Sequence, residues 1–192
     1  MNQNDFYTYL KTHYSLNDNA IDLLQQISIV SDYEKGDYII CQNKKFHDLI
    51  FILEGVALTS LFKEHKEYIS NISFETDLVA IPFQPRAQAS VVCLETVQAM
   101  HIPFTLFESL MVDNPDLSVF GYRLFKEHLR LIAQEYFDYI GLDAKEAYDK
   151  ILRDNPRLLH RVPLKYIAAN LGVTPSSLSR LRATIARRTE TD

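Results

Sequence analysis

The pattern of hydrophobic and polar positions changes character twice along the chain. From residue 5 to about residue 30, apolar side chains recur at helical spacing, which predicts short helices, the second capped within residues 17–19. From residue 33 onwards, β-prone runs recur roughly every ten residues, a spacing typical of a sandwich, roll or barrel. The predicted strands cover residues 38–41, 48–53, 56–62, 68–74, 78–81, 90–94 and 97–102.

Helical spacing returns after residue 103 and continues through the rest of the chain. It predicts a short helix over residues 104–112 and a long helix over residues 115–140, which Gly141 ends. At 1.5 Å per residue the long helix would span about 37 Å. A further helix is predicted over residues 143–153.

The predicted long helix carries two apolar stripes on different faces. A helix with two apolar faces needs two partners, so we predict that one stripe packs on the β region and the other on a second copy of the chain. The alternative is that both faces lie in the core of one subunit. The stripe with alternating spacings of three and four residues, predicted for the dimer, is Tyr122, Phe125, Leu129, Ile132, Tyr136 and Tyr139. The other stripe is Leu117, Phe120, Leu124 and Leu131.

Composition narrows the classes of function. The chain has 192 residues, of which 47% are hydrophobic, enough for a buried core and too many for a disordered or collagen-like protein. Its two cysteines cannot form a disulfide framework, a four-thiolate zinc site or an iron–sulfur cluster. Its glycines are widely separated, which excludes a glycine-rich nucleotide loop. A polar start and the lack of an apolar stretch of about 18 residues predict a cytoplasmic protein that does not bind membranes.

Charge is unevenly distributed along the chain. The net charge of −5 argues, taken as a total, against a nucleic-acid partner. However, residues 1–156 carry 13 basic and 23 acidic side chains, whereas residues 157–188 carry seven basic side chains and no acidic ones. Because the local electrostatic field, rather than the net charge of the whole chain, governs association with phosphates, the basic segment is a candidate polyanion-binding module. The alternative is a cationic helical face exposed to water.

The basic segment has the spacing of a helix-turn-helix over residues 164–182. Ala168 is small where two crossed helices approach closely, and Gly172 lies where the turn needs positive φ. Thr174 can cap the second helix, and Pro175 suits its first turn. The apolar positions that lock the helices and bury the turn are Ile167, Leu171, Val173, Leu178 and Leu181. An ordinary helical hairpin would share these caps but leaves the absence of acidic residues unexplained.

The second helix of this motif offers side chains that could read DNA. If it enters a major groove, its exposed N-terminal side chains face the base edges. Arg180 is the best candidate for a specific contact, because a guanidinium fits guanine O6 and N7 bidentately. The other predicted base-facing residues are Pro175, Ser176, Ser177 and Ser179. The predicted phosphate contacts are Lys165, Thr174, Arg182, Arg187 and Arg188.

Together, these features resemble the Crp-Fnr family of bacterial transcription regulators, over about residues 10–187. The strand region opens with YEKGDYI at residues 33–39, and the hairpin LIFILEGV follows at residues 49–56. The long helix begins after Asn-Pro-Asp at residues 114–116. The terminal segment IAANLGVTPSSLSR at residues 167–180 is the most specific of these motifs.

The resemblance implies an α+β protein with three parts. Residues 1–114 would form a cyclic-nucleotide-binding-like β-roll (a double-stranded β-helix or jelly roll), residues 115–141 a dimerisation helix, and residues 142–192 a winged-helix-like helix-turn-helix domain. By this resemblance a homodimer binds a two-fold symmetric DNA site, Arg180 falls on a base-reading arginine of the family, and RNA polymerase is a further candidate partner. Few residues follow the second helix, so we expect the β-hairpin wing to be absent or minimal.

The segment that corresponds to the family's cyclic-nucleotide cassette departs from the family pattern. Residues 77–90 contain no glycine and no Gly-Glu pair, and Arg86 lies about one position off the expected arginine. Without glycine the backbone cannot easily offer amides to a phosphate. Arg86 and Ser90 are the candidate effector-pocket residues, yet a cyclic nucleotide is disfavoured and the small-molecule effector is unknown. No cofactor or metal is predicted, since the histidines and cysteines lack a diagnostic spacing.

The leading hypothesis is a sequence-specific DNA-binding transcription regulator, in which an effector-sensing β-roll is coupled through a dimer helix to a helix-turn-helix. The alternative is a small-molecule-binding module whose helical tail docks a protein partner. An enzyme is not predicted, because no catalytic arrangement can be argued from isolated residues.

Overall fold

The computed structural model describes residues 1–189, without the side chains of Glu135, Asp138, Tyr139 and residues 185–189. The predictions that place Tyr139 in the dimer stripe, and Arg187 and Arg188 on phosphates, therefore lie outside the described side chains.

Two capped helices precede the β region, α1 (Gln3–Tyr14) and α2 (Asp18–Ile27). α1 begins at a capping box, in which the Asn2 side chain accepts from the N–H of Asp5 at 2.9 Å and the Asp5 carboxylate accepts from the N–H of Asn2. Asn17 caps α2 through its side-chain oxygen, within the predicted residues 17–19.

The β region forms two antiparallel four-stranded sheets that pack face to face. Their strand orders are β1-β8-β3-β6 and β2-β7-β4-β5, and buried apolar side chains fill the space between the sheets. The strand spacing left a sandwich, a roll or a barrel open, and the β-roll that the family resemblance implies is confirmed. The strands are β1 (Ile29–Tyr33), β2 (Tyr38–Ile40), β3 (Asp48–Glu54), β4 (Ala57–Lys63), β5 (Lys66–Ser73), β6 (Leu78–Ala80), β7 (Ser90–Cys93) and β8 (Val97–Pro103).

The first strand was not predicted, because the helical region was extended to about residue 30. α2 ends at Ile27, Ser28 is extended, and β1 pairs antiparallel with β8. Ile29 and Val30 are β-branched, so a paired strand suits them better than a further helical turn. Pairing with a strand nearly 70 residues away in the chain thus overrides the local helical spacing.

Two further helices follow the roll, α3 (Phe104–Asp113) and α4 (Pro115–Tyr139). Both lie close to the predicted bounds. Asn114 caps α4 by accepting from the N–H of Leu117 at 3.1 Å, and Pro115 occupies the first turn, where the missing N–H costs nothing.

The two apolar stripes of α4 have different surroundings. Leu117, Phe120 and Leu124 are at most 3% exposed and share a core with α1, α2 and β3. Leu131 was predicted in the same stripe but is 49% exposed, because it lies beyond the part of α4 that the roll covers. Among the described side chains, the exposed members of the other stripe are Tyr122, Leu129, Ile132 and Tyr136. Its remaining described member, Phe125, is half-buried and contacts the rings of Phe83 and Phe104.

Four helices form the C-terminal region of the described chain. They are α5 (Ala144–Asp154), α6 (Arg157–Arg161), α7 (Leu164–Asn170) and α8 (Pro175–Thr189). The short α6 was not predicted, since its five residues are too few for a periodic pattern. Through residue 189, no strand follows β8. None of the helices in the described ranges combines the length and apolar character needed to cross a membrane.

The C-terminal helices share one hydrophobic core with the β-roll. Val56, Leu58 and Phe74 of the roll are at most 1% exposed and belong to the same cluster as Ile167 and Leu178 of the helix-turn-helix. Buried side chains from α5 and α6 complete this cluster, among them Tyr148, Ile151 and Leu158. The core therefore crosses the predicted boundary at residues 141 and 142, and the roll holds the helix-turn-helix in place.

The tight connection between β3 and β4 depends on Gly55. Its φ of +98° lies in the left-handed region, and a Cβ built there would overlap the carbonyl oxygen of Thr96 and lie 2.9 Å from Cα of Val97. Gly36 has a similar φ of +93°, but a Cβ there would meet no atom within 4 Å.

We expect Gly55→Ala to destabilise the protein more than Gly36→Ala does. Both variants place a side chain at positive φ, which costs about 1–2 kcal/mol, but only Gly55→Ala adds an overlap with backbone that costs about 1–3 kcal/mol more. Urea unfolding of the two variants measures the difference. Equal losses would show that the chain at Gly55 relaxes freely.

Candidate nucleic-acid interface

The turn between α7 and α8 has the geometry of a helix-turn-helix. Gly172 adopts a φ of +69°, as its position in the motif predicts. The N–H of Val173 donates to the carbonyl of Ala168 at 2.9 Å, which closes the turn against α7. Ala168 is fully buried where the two helices approach each other, and a larger side chain at this position would push them apart.

Thr174 caps α8, as the sequence predicts. Its Oγ1 accepts from the N–H of Ser177 at 3.2 Å, and its carbonyl accepts from the N–H of Leu178 at 3.0 Å. The hydroxyls of Ser176 and Ser177 also lie within 3.0 Å of Thr174 Oγ1. The first turn of α8 contains no acidic residue, so its N–H groups and the positive end of the helix dipole face solvent without a competing anion.

The predicted DNA-contacting side chains share the outer surface of this motif. Leu178 and Ile167 face inwards and are at most 1% exposed, which turns the opposite face of α8 outwards. On that face Arg180 makes no ion pair or side-chain hydrogen bond with any described residue. Besides Arg180, the exposed predicted residues are Lys165, Thr174, Pro175, Ser176, Ser179 and Arg182, while Ser177 is half-buried.

The chain segment that forms α7 and α8 carries basic side chains and no acidic ones. No Asp or Glu occurs between residues 155 and 189. Lys165 is exposed at the start of α7, with its Nζ 4.6 Å from the ring centroid of Tyr166. Phosphate oxygens approaching this surface would meet cations and helix N–H groups rather than carboxylates.

One cation of the basic segment points away from this surface and fastens α6 to the roll. Arg161 donates through Nη1 to Glu75 at 3.0 Å and through Nη2 to the other Glu75 oxygen at 2.7 Å. Nη2 also donates to Glu95. Glu75 lies between β5 and β6, and Glu95 lies between β7 and β8, so one guanidinium joins two turns of the roll to the helix-turn-helix region.

The contact between Arg161 and Glu75 favours the ionised form of Glu75. Burial by itself raises the pKa of Glu75, but hydrogen bonds from Arg161 and from the N–H of Gly55 outweigh it and hold the pKa at about 2, below the ordinary 4.5. The same hydrogen bonds raise the pKa of Arg161. No signal in the sequence marks this contact, because Arg161 and Glu75 are 86 positions apart in the chain.

The candidate effector residues of the roll are only partly brought together. Arg86 lines a cavity of about 280 Å³ with Ile40, Phe46 and Val91, and its Nη1 donates to the carbonyl of Asn43 at 2.7 Å. Ser90 does not line this cavity. Its hydroxyl accepts a hydrogen bond from the N–H of Gln42 at 2.9 Å. The cavity wall is therefore mostly apolar.

Comparison with known proteins establishes what this architecture is. No protein-family model and no curated protein matches the sequence. Among solved structures, FixK2 from Bradyrhizobium japonicum superposes with a TM-score of 0.72 at 13% identity, over 85% of this chain and 86% of that one. A CooA mutant from Carboxydothermus hydrogenoformans gives a TM-score of 0.65 at 18% identity, over 91% and 88%. The sensor domain of the transcriptional regulator DNR from Pseudomonas aeruginosa gives 0.57 at 20% identity, over 73% and 96%.

The likeness to these structures defines the class of fold. The fold consists of a cyclic-nucleotide-binding-like β-roll, a long helix and a terminal helix-turn-helix. The resemblance to the Crp-Fnr regulators predicted from the sequence is confirmed at the level of this fold.

We expect Glu75→Gln to lower stability most at neutral pH. The pKa of Glu75 is lower in the folded protein than in the unfolded chain, so its ionisation contributes about 3 kcal/mol above pH 4.5, and this is lost as the pH falls towards 2. Urea unfolding from pH 7 to pH 3 should therefore show that the difference between wild type and Glu75→Gln shrinks below pH 4.5.

The matched control is Glu67→Gln, which alters an exposed glutamate on β5. It should leave the pH dependence of unfolding as in wild type. If Glu75→Gln has the same pH dependence as the control, Arg161 does not stabilise ionised Glu75.

Proposed function

We propose that this protein is a sequence-specific DNA-binding transcription regulator with an effector-sensing β-roll. The observation that carries the proposal is the outer face of α8, where a capped, acid-free N-terminus and the unpaired Arg180 project from a helix-turn-helix. Comparison supports it, because the solved structures with this fold include a domain of a transcriptional regulator.

In this proposal Arg180 reads a base and the surrounding groups bind phosphates. Arg180 lies in the second turn of α8 and is free to extend into a major groove, where it would pair with guanine O6 and N7. Pro175, Ser176, Ser177 and Ser179 would border the base edges. Lys165, Thr174 and Arg182 would hold phosphates and fix the register of the helix on the duplex.

We further propose that α4 joins two copies of the chain. Its exposed apolar stripe includes Tyr122 at 64% and Leu129 at 67% exposure, and solvent exposure of such a stripe along a helix is costly. A two-fold dimer would present two copies of α8 to half-sites about 34 Å apart, which gives a two-fold symmetric DNA site. RNA polymerase is a further proposed partner, and the cytoplasm is the proposed location.

The effector is proposed to be a small molecule other than a cyclic nucleotide. The apolar wall of the roll cavity and the engaged hydroxyl of Ser90 offer few groups to a phosphate. The alternative function, a module whose helical tail docks a protein, gains no support from the described surface, since an unpaired Arg180 and an acid-free helix N-terminus favour phosphates. A non-enzymatic role stays a prediction.

We expect Arg180→Ala and Lys165→Ala to weaken DNA binding in different ways. Loss of Arg180 should cost about 1–3 kcal/mol and relax specificity at one base pair, whereas loss of Lys165 should weaken all sequences alike and lower the salt slope by about one. Selection of bound sequences from random DNA at two salt concentrations provides the operator, and titration of both variants on it provides the comparison. Identical behaviour of the two variants would contradict the division of roles.

We expect Leu129→Glu to convert the protein from a dimer to a monomer and to weaken DNA binding, because it places a charge in the proposed α4 contact. Light scattering gives the mass. The control is Val112→Glu, which alters a residue of α3 that is 84% exposed and is not part of the apolar stripe of α4, and it should leave the dimer intact. A concentration-independent wild-type mass near 22.2 kDa would refute the dimer.

A further inference from the structure

A second cavity lies where the roll, α4 and the C-terminal helices meet. We call it the junction cavity. Its volume is about 580 Å³, roughly twice that of the cavity in the roll. Its walls come from α1, the turn between β5 and β6, α4 and α5, so the cavity lies between the roll, the long helix and the first of the C-terminal helices. Cavities of this size that combine an apolar floor with a few polar groups are typical ligand sites.

The floor of the junction cavity is apolar. Phe51, Leu78 and Leu124 line it and are at most 8% exposed. Phe74, also in its wall, is covered on one ring face by the guanidinium of Arg157 at 4.4 Å. The floor therefore suits the apolar body of a small molecule.

Two carboxylates with free oxygens line the same cavity. One oxygen of Asp77 accepts from the N–H of Phe74 at 2.8 Å, and the other has no partner among the described residues. Oε2 of Glu127 accepts from the hydroxyl of Tyr14 at 2.9 Å and lies 3.2 Å from His13, while Oε1 has no described partner. Each carboxylate thus keeps one oxygen for an additional donor.

The two carboxylates act on the same tyrosine in the cavity wall. Burial raises the pKa of Tyr9, and the carboxylates of Glu127 and Asp77 both raise it further, so the two acids lie close enough to act on the same hydroxyl. Burial also raises the pKa of Tyr14, and Glu127 adds to it. Burial raises the pKa of Asp77 and the nearby Arg157 lowers it, although no ion pair joins these two side chains within the described structure. The other cation of the wall, Lys150, pairs with Asp154 at 2.5 Å.

A third group in the wall can accept a hydrogen bond from a ligand. His128 is partly buried on α4, and burial lowers its pKa, which favours the neutral imidazole at pH 7. No hydrogen-bond partner for this ring occurs among the described residues. The free acceptors of the cavity, two carboxylates and a neutral imidazole, all suit a donor with a positive charge.

We propose that the junction cavity binds a small organic amine, with its ammonium group on Asp77 and Glu127 and its apolar body on Phe51, Leu78 and Leu124. The ammonium group supplies hydrogen-bond donors and a compensating positive charge for the two free carboxylate oxygens. Binding itself is independent of the proposed function. Its regulatory role rests on that function: if the ligand binds one arrangement of the roll and α4 more tightly than another, it changes the affinity for DNA, and DNA changes the affinity for the ligand by the same factor.

Calorimetric titration with 2-phenylethylamine, cyclohexylmethylamine and agmatine tests the binding. The matched probes are 2-phenylethanol, which lacks the charge, and 3-phenylpropanoate, which reverses it. We expect at least one amine to bind and neither matched probe to do so. Asp77→Asn and Glu127→Gln keep the acceptors for Phe74 and Tyr14 but remove the charge, and each should weaken amine binding about tenfold or more.

The control variant is Arg86→Ala, which alters the roll cavity and should bind the amine as wild type does. Circular dichroism of each variant reports that it is folded. Binding of the alcohol or the acid as tightly as the amine, unchanged affinity in both carboxylate variants, or no binding of any of the three amines would overturn the proposal. Amine binding without DNA binding would refute the proposed function alone, and DNA binding without amine binding would refute this inference alone.

Discussion

Burial of the helix-turn-helix core against the β-roll is the constraint on which the rest of the structure depends. Ile167 and Leu178 pack in one cluster with Val56, Leu58 and Phe74, and each such side chain stabilises the contact by about 1.5–3 kcal/mol. This packing brings α6 beside the turns that carry Glu75 and Glu95, where Arg161 is held. It also leaves the outer face of α8 in solvent, where Arg180 and Arg182 are exposed.

The two faces of α4 extend the same constraint to the rest of the molecule. Leu117, Phe120 and Leu124 fix the helix on the roll, so the stripe with Tyr122 and Leu129 points away from it. The direction of the exposed stripe is thus set by the buried one. In the proposed dimer, the contact along α4 and the core around Leu178 would together determine the distance and angle between the two copies of α8.

Local sequence signals predicted much of this arrangement, and distant contacts supplied the rest. Gly172, Thr174 and Ala168 act within a few residues of their partners, so spacing alone located the turn, the cap and the close helix approach. β1 was missed because its pairing with β8 is remote in the chain, and Leu131 was misplaced because periodicity does not show where the roll stops covering α4. The contact of Arg161 with Glu75 and the junction cavity both arise from docking of the C-terminal helices, which no local pattern encodes.

The structure also shows where part of the acidic excess behind the net charge of −5 lies. Two acidic residues of the roll, Glu75 and Glu95, pair with Arg161 and neutralise one cation of the basic segment, which leaves it unavailable to the proposed DNA-binding surface. Arg180 is already exposed in this state, so an effector need not uncover it. In the proposed dimer, what is left for an effector to change is the relative placement of the two α8 helices.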